Sequence, residues 1–393
     1  MNKHSIFVDA TYKSLNKYTE ELCGDSIQVV RNDDYFLVVL SDGLGSGVKA
    51  NILSTLTSTI ISTMLDEGAS IEDTVDTIVH TLPVCSVRKV AYSTFSILQI
   101  GYDGSVYLVE FDSPGCVFIR NKQIQPINYT ERTVAGKVIK EARFSVQPKD
   151  VLTIMSDGVV YAGIGALMNL GWTWENVSEY LANKADENIS SARLAYMLSE
   201  TCNQLYMDKP GDDTTVAVVK IMPKMEVSIL SGPPMDKIND SRYVTDFMQP
   251  EGKKIVCGGT SASIVSRIIG EELSPSIEYV DPQIPPIATM SGIDLVTEGV
   301  ITLKKVLEVL KLYAERPADK ETMAEIDKNH GAGRILKILL EECTHLNLFI
   351  GTQMNPAHNI PNSTVDISVK LLILDEIYEV MKSLGKVVKK VYY

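Results

Sequence analysis

No apolar run in the 393-residue chain approaches the length of about 20 residues that a membrane-spanning helix requires. The amino terminus, MNKHSIFVDATYK, lacks the apolar core of an export signal. A basic surplus is missing too: 37 Lys and Arg against 50 Asp and Glu leave a formal charge of -13. That balance excludes the basic face that nucleic-acid phosphates demand. The six cysteines, Cys23, Cys85, Cys116, Cys202, Cys257 and Cys343, form no CxxC pair and no metal-finger spacing. They are expected to be buried free thiols in a reducing compartment. No Cys is followed six positions later by Arg, and no GxSxG, GxxxxGK[ST] or HExxH motif occurs. The histidines, His4, His80, His330, His345 and His358, are dispersed. These absences point to a cytoplasmic protein with no membrane or nucleic-acid partner. They also exclude the common cysteine and serine nucleophiles and His-held zinc.

What remains is a composition able to bury a core, 45% hydrophobic and 22% charged, over a length that suits two domains. DSIQVVRN and YFLVVLSD read as strands about the turn Asn32-Asp33-Asp34. A helix from about Ser46 to Leu65 follows, with Leu53, Leu56, Ile60 and Met64 at helical spacing, and a second over 71–82. YSTFSILQI and SVYLVEF form a hairpin, and CVFIR, ARFSV and VLTIMSD are further strands. Helices are predicted over 173–185 and 190–206, and TTVAVVKI closes the unit. Residues 222–237, with Pro223, Gly232, Pro233 and Pro234, form the predicted boundary between domains 1–222 and 223–393. Beyond it, strand and helix alternate. EVSILSG, KKIVCGG, IDLVTEG and LNLFIGT each read as a strand ending in Gly, which implies a mainly parallel sheet in a smaller α/β domain.

Four acidic motifs carry the chemistry of the first domain: Gly24-Asp25-Ser26, Ser41-Asp42-Gly43, Ser156-Asp157-Gly158 and Gly211-Asp212-Asp213-Thr214. Each Ser-Asp-Gly ends a hydrophobic strand, so its carboxylate is rigidly placed and partly desolvated. The following Gly allows a sharp turn and leaves a carbonyl free as a ligand. Asp-Gly at a strand end is also a common plain turn. Carboxylates gathered at one sheet edge repel unless a cation compensates. An oxygen-only donor set suits Mg²⁺ or Mn²⁺ and disfavours zinc. Two such ions can share a bridging water, lower its pKa and deliver hydroxide in line to phosphorus, with no protein nucleophile.

In this order the motifs CGDS, SDGLGSG, STFSILQI, QPKDVLTIMSDG and GDDTTVAVV resemble the metal-dependent protein phosphatase (PPM) family, in its bacterial SpoIIE-like branch, over residues 15–221. The resemblance implies an α+β fold, an αββα sandwich with two central antiparallel sheets. It implies hydrolysis of phosphoserine or phosphothreonine on a protein, often of anti-anti-sigma type, by two Mn²⁺ or Mg²⁺ ions. Carried over by motif, Asp42 bridges the ions and the Gly43 carbonyl binds one of them. Asp157 and Asp212 bind the second ion, and Asp25 acts directly or through water. Asp213 stands where other branches carry Asn and is expected just outside the ligand shell. The phosphate-facing Arg of eukaryotic members has no clear counterpart, and Arg31 is expected at the solvated surface. Gly45 and Gly47 loosen the start of the helix after Asp42, and Ser46 is placed to cap it. A catalytically silent regulatory module that binds a partner or a small anionic ligand is the alternative reading.

The second domain resembles nothing nameable. Gly258-Gly259-Thr260-Ser261 between strand and helix suits a small anion at a helix N-terminus, or a plain Ser/Thr-capped turn. Ser231-Gly232, Thr297-Glu298-Gly299 and Gly351-Thr352 are expected at the same sheet edge, where open α/β sheets bind ligands. The stretches 329–333 and 355–358 are expected in loops near it.

Overall fold

The computed structural model describes residues 6–81, 93–275, 281, 284–353 and 364–393. Cys85, His4, His358 and the expected loop 355–358 lie outside the described residues. The chain divides into two compact units, 1–223 and 224–393. No helix among the described residues is long and apolar enough to cross a membrane.

In the first unit the elements run β1 Phe7–Leu15, β2 Asp25–Arg31, β3 Tyr35–Gly43, α1 Gly47–Asp66, α2 Ile71–Thr81, β4 Ser93–Gly101 and β5 Ser105–Phe111. They continue through β6 Val117–Arg120, β7 Gln123–Gln125, β8 Thr130–Val134, β9 Lys137–Ser145, β10 Val151–Met155, α3 Asp157–Val160, α4 Trp174–Lys184, α5 Ser191–Leu205 and β11 Thr214–Met222. One antiparallel sheet has the order β1-β11-β10-β6-β7 and the other β2-β3-β4-β5-β9-β8. Strand alternation explains the layers. Phe36, Val38 and Leu40 of β3 enter a core shared with Val8, Leu152, Ile154 and Val219 of the other sheet. Leu37 and Val39 point the other way, onto Ile61 and Leu65 of α1 and Val75 and Ile78 of α2. With α5 covering β1 and β11, this is the expected αββα sandwich.

Helix α1 differs from its sequence reading. Leu56 is 56% exposed, as are Val48 and Ile52 to a similar degree, while the buried face is Ala50, Ser54, Thr57, Ser58, Ile61, Ser62 and Leu65. Four of its hydroxyls satisfy themselves on backbone carbonyls of the preceding turn: Ser54 on Asn51, Thr57 on Leu53, Ser58 on Thr55 and Ser62 on Thr59. Small self-bonded side chains let the helix lie close to β2 and β3, so of the periodic apolar residues Leu56 is left outside while Ile60 packs at the core's edge. Ser46 does not cap α1. Its hydroxyl donates instead to Glu20 Oε1 at 3.1 Å.

The second unit comprises β12 Glu226–Ser231, α6 Asp240–Met248, β13 Lys253–Cys257, α7 Gly259–Ile269, β14 Ser274–Pro275, β15 Ala288–Met290 and β16 Ile293–Thr297. Then follow α8 Val300–Glu315, α9 Lys320–Ile326, α10 Gly331–Lys337, β17 His345–Ile350, α11 Thr364–Ser383 and β18 Val387–Tyr392. Its sheet has the order β14-β15-β16-β13-β12-β17-β18. The five strands from β16 to β18 are parallel, and β14–β15 add an antiparallel edge. Leu230, Val256 and Phe349 pack on α6 and α7 on one face, and α8 packs with α10 and α11. Chain order reverses between β12 and β17, the switch point of a doubly wound sheet. Cys116, Cys202, Cys257 and Cys343 are buried free thiols, and Cys23 is half-buried.

Candidate metal centre

Register brings the first two aspartates together. In the antiparallel pair β2–β3, Asp25 stands directly opposite Asp42. Directly opposed residues share a face, with Cβ atoms about 5 Å apart, and like charges there are destabilising. Alternation from Leu40 turns Asp42 toward the space between the sheets. The other sheet supplies the rest. Asp157 opens α3 two residues after β10, and Asp212 and Asp213 precede β11, the neighbour of β10. Ser156 fixes this pair of loops: its N–H donates to the Thr215 carbonyl and its hydroxyl accepts from the Thr215 N–H at 2.8 Å. The site therefore lies at one end of the sandwich, with carboxylates from both sheets.

Two glycines are required here by contact rather than by a turn. Gly43 and Gly158 are not among the residues with positive φ, contrary to the sharp turn expected from sequence. A Cβ on Gly43 would strike the Ala50 carbonyl of α1, and one on Gly158 the Asp213 carbonyl and the Thr214 hydroxyl. A Cβ on Gly24 would stand 2.7 Å from Asp213 Oδ2, so the loop before Asp25 rests on the loop of the opposite sheet.

The electrostatics match the crowding. Both oxygens of Asp25 and Oδ2 of Asp213 are buried without a hydrogen-bond partner. Burial, then the charges of Asp213 and Asp157, pushes the Asp25 carboxyl up to about 7. The nearby Ser156 and Thr215 hydroxyls ease that shift, yet they are engaged with the Thr215 N–H and Ser14. Asp42 rises to about 9 through burial, then repulsion by Asp25, Asp157, Asp212 and Asp213. Asp157 rises to about 6, by burial and then Asp212. Among the described residues no three His, Cys, Asp or Glu side chains already close around a point as a finished coordination shell. The orphaned oxygens of Asp25 and Asp213 mark what a cation would satisfy.

The aspartates face a cleft of about 1060 Å³ lined by Asp42, Gly43, Asp157 and Asp212. Sequence reasoning missed two of its walls. Lys17 lines the cleft with its Nζ 3.5 Å from Asp212 Oδ1, while its N–H donates to Asp213 Oδ1 at 3.0 Å. Nothing in the stretch SLNKYTE marks it, because β1 reaches Asp213 only through pairing with β11. Glu110 lies in the wall, 3% exposed, accepting the Cys116 N–H, and burial pushes it up to about 7. Arg31 is elsewhere: its guanidinium stacks on Phe36 and donates to the Val8 carbonyl.

In the second unit, the strand-end residues do share one edge: Ser231, Cys257, Thr297 and Ile350 are lateral neighbours. Gly258 precedes α7, but neither Thr260 nor Ser261 caps it, and the Ser261 hydroxyl accepts the Gly232 N–H at 2.9 Å. His330 caps α10, its Nδ1 accepting the Gly333 N–H.

The family model described as Stage II sporulation protein E (SpoIIE) matches residues 32–222. No curated protein matches the chain. Among solved structures, the chain is similar to the PP2C phosphatase domain and a regulatory fragment of SpoIIE from Bacillus subtilis, with 19% identity and a TM-score of 0.48. That match covers 56% of this chain and 64% of the other, so the chain spans just under two thirds of that relative. The RsbU and RsbW domains of a Mycobacterium tuberculosis protein match at 16% identity and a TM-score of 0.47, over 63% of this chain and 68% of theirs. RsbX in complex with magnesium matches at 18% identity and a TM-score of 0.41, over 56% and 97%.

Proposed function

Residues 32–222 carry a SpoIIE-family, PP2C-like domain, and from that premise we propose that the chain is a metal-dependent protein serine/threonine phosphatase acting in a bacterial regulatory pathway in the cytoplasm. The observation that carries this reading is the opposition of Asp25 and Asp42 across β2 and β3, buried among further carboxylates with oxygens left unpartnered. Such an arrangement is costly by itself and becomes favourable around hard cations.

The donor chemistry, oxygen-only and rich in carboxylates, would suit two Mn²⁺ or Mg²⁺ ions: Asp42 would serve both, the Gly43 carbonyl and Asp25 would hold one, Asp157 and Asp212 would hold the other, and Asp213 would support the set. When bound, such ions supply a water of lowered pKa and offset charge on the phosphoryl oxygens. The chain does the rest. Strand ends from two sheets hold the carboxylates rigidly, and the Gly43 and Gly158 contacts keep their loops in place. Lys17, beside Asp212, presents an ammonium to the cleft where the phosphate of a phosphoserine or phosphothreonine side chain enters. The substrate class is a phosphorylated protein, such as one of anti-anti-sigma type.

The test is Mn²⁺-dependent hydrolysis of p-nitrophenyl phosphate and of a phosphoserine peptide by wild type and Asp42→Ala. Wild type should turn over only with metal, and the folded variant should be inactive. Wild-type activity in Asp42→Ala at saturating Mn²⁺, or no turnover by wild type with either ion, would refute the assignment.

A further inference from the structure

Beyond the metal centre, one place in the second unit gathers hydrogen-bond donors that the protein leaves unused. It lies at the C-terminal edge of the parallel sheet, around Gly232, where chain order reverses between β12 and β17. Gly232 is held on two sides. Its N–H donates to Ser261 of the first turn of α7, and its Cα lies so close to the Lys370 ammonium of α11 that a Cβ would collide with it. Lys370 and the start of α7 therefore flank the same residue.

Each group around it lacks what it needs. The Lys370 Nζ donates to the Gly351 carbonyl at 3.2 Å, and among the described residues no ion pair joins it to a carboxylate. Burial pushes this amine below its ordinary value, so its charge is poorly solvated. Ser231, the last residue of β12, is 1% exposed, and its hydroxyl has no partner. Alternation against Leu230, which faces α6 and α7, turns Ser231 to the α8 and α11 side, the side from which Lys370 reaches in. Thr302, in the first turn of α8, is fully buried and its hydroxyl is likewise unpartnered. That helix start lies over the neighbouring strand end, since Gly299 packs on Gly258. The two helix starts differ. Glu298 Oε2 already accepts the N–H groups of Ile301 and Thr302 at α8, whereas α7 begins with no side-chain cap and no acidic residue in its first turn.

An ammonium held by a single neutral carbonyl, two buried hydroxyls and the orphan amides of a helix start can all donate, and a charged acceptor would serve them together. Buried polar groups in native proteins are paired, so two unpartnered buried hydroxyls beside a desolvated ammonium at a sheet's switch point call for a ligand. We propose that this edge binds a small metabolite through its phosphate or carboxylate group, held by Lys370, Ser231, Thr302 and the first amides of α7. The lack of a side chain at Gly232 is what lets the Lys370 ammonium come up against the backbone of this edge.

The test uses the full chain, treated with EDTA and carrying Asp42→Ala so that the metal centre takes no phosphate. Calorimetric titration with inorganic phosphate, citrate and a series of nucleoside mono-, di- and triphosphates should show saturable binding of at least one, and should say whether phosphate or carboxylate is the recognised group. Lys370→Met should weaken that binding tenfold or more, since a charge-assisted hydrogen bond is lost. The same variant should leave the unliganded protein's melting temperature unchanged or raised, because it removes a desolvated charge. A lysine kept for structure would instead lower it. Should Lys370→Met fail to fold, the double change Ser231→Ala and Thr302→Val carries the test, with an expected loss of severalfold or more. Absence of binding by every probe, or binding that survives these changes, would overturn the proposal.

Discussion

Replacing Asp25 with Asn separates the electrostatic strain of the centre from its service to a cation. Asp25 is 6% exposed, and burial with neighbouring charges raises its carboxyl from 3.8 to about 7. The folded state therefore binds the proton more tightly than the unfolded state. Its stability is fully present below the unfolded value near 4, and is lost as pH rises toward and past about 7. At about 1.4 kcal/mol per pKa unit, the ionised carboxylate costs the metal-free fold at most about 4 kcal/mol above neutrality. The Asn amide needs partners of its own, which leaves a net gain of about 2 kcal/mol for Asp25→Asn. For a unit of this size that is a rise of roughly 4–8 °C in melting temperature. The assay is thermal unfolding of EDTA-treated protein from about pH 5 to about pH 8.5, following the transition that responds to Mn²⁺. Wild type should lose stability across this range, and Asp25→Asn should lose less and melt higher at the alkaline end. Adding Mn²⁺ should reverse the order, because only wild type gains the full binding energy. A variant that melts lower than wild type at every pH, with and without Mn²⁺, would show Asp25 to be an ordinary structural residue and refute the reasoning.

Asp157→Asn and Asp212→Asn should each weaken Mn²⁺ binding tenfold or more in calorimetric titration, since each removes a charge from a hard-cation ligand. Unchanged affinity in both would move the centre elsewhere. Gly158→Ala should destabilise the first unit by about 2 kcal/mol by driving a methyl into the Asp213 carbonyl, read as a lower melting temperature. A chain ended at residue 223, after the first compact unit, should fold and keep its Mn²⁺-sensitive transition while its basal turnover changes. Identical kinetics for full-length and shortened protein would deny the second unit any influence on the first.

Much of the first unit was legible because its strands announce themselves locally. YFLVVLSD and VLTIMSD are apolar enough to be central, and each delivers its aspartate at a fixed end. The second unit was legible for a related reason: four apolar runs ending in Gly form a parallel sheet. What escaped depends on distant partners. FVDATYKSL mixes polar and apolar residues without clear alternation, and becomes β1 by pairing with β11 some 200 residues later. Lys17 escaped with it. The helix α1 was legible, but not its buried face, where Ser and Thr bonded to their own backbone lie beside Ile61 and Leu65. The reason for Gly43 and Gly158 escaped too, since close approach to Ala50 and Asp213 is a tertiary fact. So did the idle state of the α7 start, where Ser261 turned away to Gly232.

The pairing of β1 with β11 also sets a schedule. Residues 7–15 cannot find their partner until residues 214–222 have been made, and β11, which follows directly on Asp212 and Asp213, lies between β1 and β10. During synthesis at roughly 5–20 residues per second, the earliest strand must wait on the order of ten seconds or more for the last. Until then one sheet lacks the strand between β1 and β10, and the acidic cluster is incomplete. The growing chain thus lacks a complete acidic centre by its order of emergence, and the ribosome completes the first unit only a few residues before β12 begins.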